Sequence, residues 1–126
     1  MIRTAIAVVD DMFFISKIRE TAKALGMIVS FPRNLDALRA TIAQEVPALI
    51  LVDLHHQKID AAQLATELKA DETAKEIPLF GFFAHVQADL QRQALEAGYD
   101  EVLPRSIFFR DLAKILSGET GAVSQK

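Results

Sequence analysis

Three aspartates stand where short apolar runs end. Asp10 and Asp11 close the run Thr4–Val9, and Asp53 closes the run Leu49–Val52. Carboxylates gathered in one place repel each other, and burial strengthens the repulsion, so at least one is driven to a higher pKa unless a cation neutralises the group. Hard oxygen ligands with room for water suit Mg2+. A carboxylate beside such a cation can attack a phosphoryl group that would otherwise repel it. Taken singly, each aspartate reads equally well as a helix cap, because Asp accepts backbone N–H groups at a helix N-terminus. The repetition of the apolar-run-then-Asp pattern lifts the metal and phosphoryl reading above that of isolated caps.

The chain must then bring these run ends together. Five runs have strand length: Thr4–Val9, Met27–Phe31, Leu49–Val52, Leu79–Phe83 and Glu101–Leu103. The first, third and fourth are almost continuously apolar, as suits parallel strands buried on both faces. Between the runs, apolar residues recur at helical spacing: Phe14, Ile15, Ile18, Ala22 and Leu25; Leu35, Leu38 and Ile42; Leu64 and Leu68; Leu90, Ala94 and Ala97. A single last helix is expected over Ile107, Phe108, Leu112, Ile115 and Leu116. Gly26, Pro47, Gly98 and Gly118 mark helix stops, and Asn34 and Asp89 are expected N-caps. Strict β-α alternation predicts an α/β, flavodoxin-like (βα)5 doubly wound parallel sheet with strand order 2-1-3-4-5. Ligands of such sheets bind beyond the carboxyl ends of the strands, near the switch between strands 1 and 3. Asp10, Asp11 and Asp53 fall there. The domain is expected over residues 4–116, with the small, polar segment 117–126 as a disordered tail.

Composition closes off several functions. The 126 residues are enough for one core, and 51% hydrophobic with 25% charged residues marks a globular chain. The absence of cysteine excludes disulfides, thiolate metal sites and cysteine nucleophiles. A net charge of −3 with scattered Lys and Arg argues against direct nucleic-acid binding. No apolar run approaches the ~20 residues needed to cross a bilayer. The run before Asp10 is too short for a signal peptide, so the cytoplasm is the expected compartment and no membrane partner is expected. The loop Asp10-Asp11-Met12-Phe13-Phe14 has no glycine, which excludes a dinucleotide fingerprint and a P-loop, and no nucleophile elbow is present.

Val8-Val9-Asp10-Asp11 resembles the first-strand signature of response-regulator receiver domains of two-component systems, and Leu49-Ile50-Leu51-Val52-Asp53 resembles their phosphoacceptor strand. Ile77-Pro78, Ala84-His85 and the stretch Ala94–Leu103 (ALEAGYDEVL) resemble the later half of that family. The resemblance covers about residues 4–116. It implies that Asp53 is the phosphoacceptor, that Asp10, Asp11 and Asp53 hold Mg2+, and that the backbone carbonyl of His55 is a further metal ligand. It also implies a signalling partner, either a histidine kinase or an output protein, met on the face of helix 4, strand 5 and helix 5. The same face serves for homodimers in the family.

Three positions depart from the family pattern. Where a Ser or Thr hydroxyl is expected after strand 4 the chain has Phe83, which has no donor and whose ring must be buried or cover the pocket mouth. Where a lysine is expected after strand 5 it has Arg105, longer, planar and bidentate, with the usual following proline displaced to Pro104. The aromatic switch position in strand 5 falls on Val102. Loss of the hydroxyl and the ring removes both partners of the family's readout. The expectation is an atypical receiver domain acting as a protein–protein interaction module and not as an enzyme, with phosphorylation at Asp53 weak, absent or differently read. One alternative is a working phosphoacceptor in a phosphorelay, with Arg105 in the lysine's place. The other is a small Mg2+-dependent phosphotransfer enzyme. Arg105 is also expected to reach Asp53 as a standing ion pair or else to face solvent.

His55-His56 lacks a third nitrogen or sulfur ligand at useful spacing unless His85 comes near, so both histidines are expected as solvated loop side chains. Of the pairs Phe13-Phe14 and Phe108-Phe109, one ring each is expected in the core, and the other is either exposed as a contact point or taken in by a wide core stripe.

Overall fold

The computed structural model describes residues 2–84 and 88–118. In chain order the elements are β1 (Thr4–Val8), α1 (Met12–Ala24), β2 (Ile28–Ser30), α2 (Leu35–Gln44), β3 (Leu49–Asp53), α3 (Ala61–Lys69), β4 (Leu79–Phe83), α4 (Ala88–Ala97), β5 (Glu101–Pro104), α5 (Arg105–Arg110) and α6 (Leu112–Ser117). All strand pairs are parallel, and the sheet order is β2-β1-β3-β4-β5, as the alternation of elements predicts. No helix among the described residues is long and apolar enough to cross a membrane.

Side chains alternate across the sheet, and each face has its own core. On one face Ile6, Val8, Ile50, Val52, Leu79 and Phe83 meet α2, α3 and α4 through Leu38, Leu64, Leu68 and Ala94. On the other, Ala5, Ala7, Val9, Leu51, Phe80 and Phe82 meet α1, α5 and α6 through Ile18, Ala22, Phe108 and Ile115. All five residues of β3 and of β4 are buried, which is why these runs carry almost no polar residue. The edge strand β2 is shorter than its apolar run, and Ile28 is exposed on it.

The helix starts are built by side chains. Asn34 Oδ1 accepts the Ala37 N–H at 2.7 Å, as expected for an N-cap. Asp89 is not a cap. It lies inside α4, where Arg92 donates to it at 2.8 Å. The expected single last helix is divided: Asp111 lies between the allowed helical and extended regions (φ −103°, ψ 16°) and separates α5 from α6. Its carboxylate accepts two bonds from the Arg110 guanidinium, each 3.0 Å. Ser117 still belongs to α6, and Gly118 ends it in the left-handed conformation (φ 89°), so the first two residues of the segment expected as a tail are part of the folded domain. The rest of that segment, 119–126, lies outside the described residues.

Gly81 in the middle of β4 lets two neighbours close over the sheet. A Cβ there would lie 2.8 Å from Leu54 Cδ2 and 3.2 Å from Tyr99 Cδ2. Tyr99 is buried, and its hydroxyl donates to the Ala61 carbonyl at 2.9 Å, tying the chain before β5 to the start of α3. Gly81→Ala is therefore expected to destabilise the fold by about 1–3 kcal/mol through overpacking. Chemical denaturation of the variant against the parent chain measures it.

Candidate functional site

The register of three strands builds the site. Val8 pairs with Val52, so the chain leaving β1 passes beside the last residue of β3. Asp53 pairs with Phe82 of β4. The strand ends therefore converge on one pocket of about 400 Å³. Asp10, Asp11 and Asp53 line it together with His55, Gln57, Phe14, Phe82, Ala84 and Arg105. The sequence expectation that the three aspartates share one mouth matches this placement.

The three carboxylates play unequal parts. Asp53 is buried, 8% exposed, and its Oδ1 accepts the His55 N–H at 2.9 Å. Burial pushes its carboxyl above the usual aspartate range; the His55 N–H bond works against the shift, and the charge of Asp10 adds to it. Asp10 is exposed and accepts the Gln57 N–H at 3.2 Å through Oδ2. Asp11 is the N-cap of α1: its Oδ1 accepts Phe13 N–H at 2.8 Å and Phe14 N–H at 3.2 Å.

These commitments bear on a cation. Among the described residues no group of three or more His, Asp or Glu side chains is placed to hold a metal ion. The ready ligand set of three aspartates expected from sequence is thus not assembled, because Asp11 turns to the orphan N–H groups of α1. Each aspartate nevertheless keeps one oxygen without a bonded donor among the described residues. That donor set fits a largely hydrated hard cation, since Mg2+ needs only one or two carboxylates and completes its shell with water.

Phe83 takes the buried one of its two expected placements and is not among the described residues that line the pocket. It is buried on the opposite face with Tyr99, Val102 and Ala94. Neighbouring residues of a strand point to opposite faces, so Phe82 and Ala84, on either side of Phe83, line the pocket instead. Phe82 stacks on Phe108 at 4.5 Å and meets Phe14 edge-on at 5.9 Å. Phe14 in turn stacks on Phe109 at 4.9 Å. Phe13 is the exposed ring of its pair (64%), whereas both Phe108 and Phe109 join the cluster.

Arg105, at the first position of α5, also lines the pocket. Of the two expected placements the solvent-facing one holds: Arg105 is exposed, its guanidinium forms no ion pair with Asp53, and it lies over the Phe14 ring, 5.2 Å from the centroid. A flat, weakly hydrated cation is stabilised on an aromatic face. Val102 is buried in the α4 side of the core.

The histidines are not the solvated side chains expected. The His56 side chain is 3% exposed, and its Nδ1 accepts the N–H groups of Lys58 (3.0 Å) and Ile59 (3.1 Å). It thereby shapes the loop between β3 and α3. His55 lines the pocket, and its Nε2 is buried without a hydrogen-bond partner among the described residues. His85 lies outside the described residues. Sequence reasoning missed Phe14 and Phe82 as pocket residues.

The fold is the one found in response-regulator receiver domains. Among solved structures, the chain is similar to the phosphorylated cyanobacterial phytochrome response regulator RcpA, with 23% identity, 95% of this chain and 92% of that chain covered, and a TM-score of 0.76. It is similar to a CheY-like response-regulator receiver domain protein from Methanospirillum hungatei JF-1, with 15% identity, 99% and 98% covered, and a TM-score of 0.80. It is also similar to the Mn2+-bound form of the response regulator Rcp1, with 22% identity, 94% and 91% covered, and a TM-score of 0.73. No protein-family model matches the sequence, and no curated protein does.

Two outcomes follow from the position of Asp53. The folded chain holds the Asp53 proton more tightly than the unfolded chain, so this group's contribution to stability falls as pH rises from the ordinary aspartate range through its raised folded value. Asp53→Asn is expected to unfold at higher temperature than the parent at neutral pH, and the gain is expected to vanish in acid below the ordinary aspartate pKa. Thermal melts across pH read this directly. Arg105→Ala is expected to leave the Asp53 titration unchanged, because the guanidinium sits on Phe14; carbon-13 NMR of the carboxyl group reports it.

Proposed function

We propose that this chain is a response-regulator receiver domain that works as a signalling module through protein–protein contact and not as an enzyme. In this reading Asp53 occupies the phosphoacceptor place, and a phosphoryl group there is formed weakly or is read by groups other than a hydroxyl and a switching ring. The observation that carries the reading is the make-up of the pocket. Among the described residues none that lines it bears a hydroxyl, and Phe14 and Phe82 give it aromatic walls.

Asp10 and Asp53 would hold Mg2+, with Asp11 through its remaining oxygen and the His55 carbonyl as further ligands. A bound divalent cation would screen the carboxylates from an incoming anionic phosphoryl group. Asp53 would present its free oxygen, while the His55 N–H holds the other in place. Arg105 supplies positive charge at the rim. Its place in the pocket favours a second reading, in which it does the lysine's work and Asp53 is an ordinary phosphoacceptor of a phosphorelay. The partner is another signalling protein, a histidine kinase or an output protein, met on the face of α4, β5 and α5. Leu95, exposed on α4, is an apolar contact point on that side.

The test uses beryllofluoride and acetyl phosphate with Mg2+, followed by NMR and size-exclusion chromatography, with Asp53→Ala as control. Resonance shifts confined to the neighbourhood of Asp53 and Arg105, with oligomeric state and α4 unchanged, are the expected result. Stoichiometric labelling together with a large α4 response or a change of oligomeric state would overturn the reading in favour of an ordinary phospho-switch.

A further inference from the structure

A second and larger cavity, about 700 Å³, opens on the other side of Asp10, between α1 and the chain from β2 to α2. Its charge is opposite to that of the first. Arg19, Arg33 and Lys58 line it against the single carboxylate of Asp10, whereas three aspartates and one arginine line the pocket at Asp53. None of the three cations is paired with a carboxylate among the described residues. They stand together in a chain whose net charge is −3. Three cations held in one concavity against one carboxylate leave an excess of positive charge that attracts an anion.

Part of the cavity lining is apolar. Val9, Ile15, Val29 and Phe31 form it. The Arg19 guanidinium already lies over the Phe31 ring, 5.0 Å from its centroid. A guanidinium on a phenyl ring makes a platform on which a further planar group can stack. The volume falls in the range of small-molecule pockets, roughly 300–1,000 Å³, which favours a compact ligand over an extended peptide. His56 closes one side with a ring whose Nδ1 is already occupied by two backbone N–H groups, so that atom is no donor to an anion.

We propose that this cavity binds a small organic phosphate with a flat body, of the nucleoside monophosphate class. The planar group stacks at Phe31 and Arg19, and the phosphate is held by Arg33 and Lys58. The site is separate from any phosphorylation of Asp53.

The experiment is an NMR titration of the full chain with AMP, with adenosine and inorganic phosphate as comparison ligands and an acidic peptide as competitor. Saturable AMP shifts centred on Arg19, Phe31, Arg33 and Lys58 are expected, with adenosine and inorganic phosphate each binding far more weakly. Arg33→Glu and Lys58→Gln are each expected to weaken AMP binding by about tenfold or more, as befits loss of a charge-assisted contact. Arg33→Lys should retain most of it. Unchanged sheet resonances show that the variants are folded, since both positions are exposed. The proposal is overturned if AMP does not saturate, if its shifts centre on Asp53, if inorganic phosphate or adenosine binds as well as AMP, or if only the acidic peptide binds.

Discussion

A carboxylate ends a strand whose other four residues are almost wholly buried. Asp53 sits in the parallel ladder opposite Phe82, and the ladder from β1 through β3 to β4 decides everything else near it. Because β1 and β3 are neighbours, the loop after β1 delivers Asp10 and Asp11 to the same rim. Because β4 is the next strand, its alternation decides which of its residues face the carboxylate. The aspartate keeps its place only because the His55 N–H satisfies one oxygen and the pocket gives the other access to solvent. A shift of one residue in either strand pairing would send Asp53 into the apolar core against α3 and α4.

The architecture was legible in the sequence because its signals are redundant. Buried parallel strands leave unbroken apolar runs, and Asn34, Gly26 and Gly118 mark helix limits by local chemistry that tertiary contacts need not override. The convergence of the three aspartates followed from strand order alone. What sequence reasoning missed depends on side-chain direction. Alignment with the family set Phe83 at the hydroxyl position, but the residue's ring takes the core face while Phe82 and Ala84 border the pocket. The run LFGFF carries no polar residue to reveal its parity. Arg105 is long enough to choose among partners, and nothing in its neighbours announces that the Phe14 ring wins over the Asp53 carboxylate. His56 looked like a solvated loop residue because a histidine that caps a turn from within has no signature in composition.

The cluster of Phe14, Phe82, Phe108 and Phe109 joins three elements: α1, β4 and α5. Rings packed edge-on and stacked add to simple burial and restrict one another's rotation. Arg105 closes the cluster from the pocket side. The helix it begins is short, lacks a side-chain cap and is soon broken at Asp111, so this ring packing is what anchors α5 to the sheet.

Asp10 stands as the shared wall of two compartments of opposite charge. A charge that enters either compartment changes the potential at Asp10 and is therefore felt in the other. Thermodynamic linkage makes that influence mutual: if an occupant of one compartment strengthens binding in its neighbour by some factor, the neighbour's occupant strengthens the first by the same factor. A cation beside Asp53 would lower the negative potential that Asp10 presents to the basic cavity. The two ends of this carboxylate thus join the compartments into one electrostatic unit, with no moving part between them.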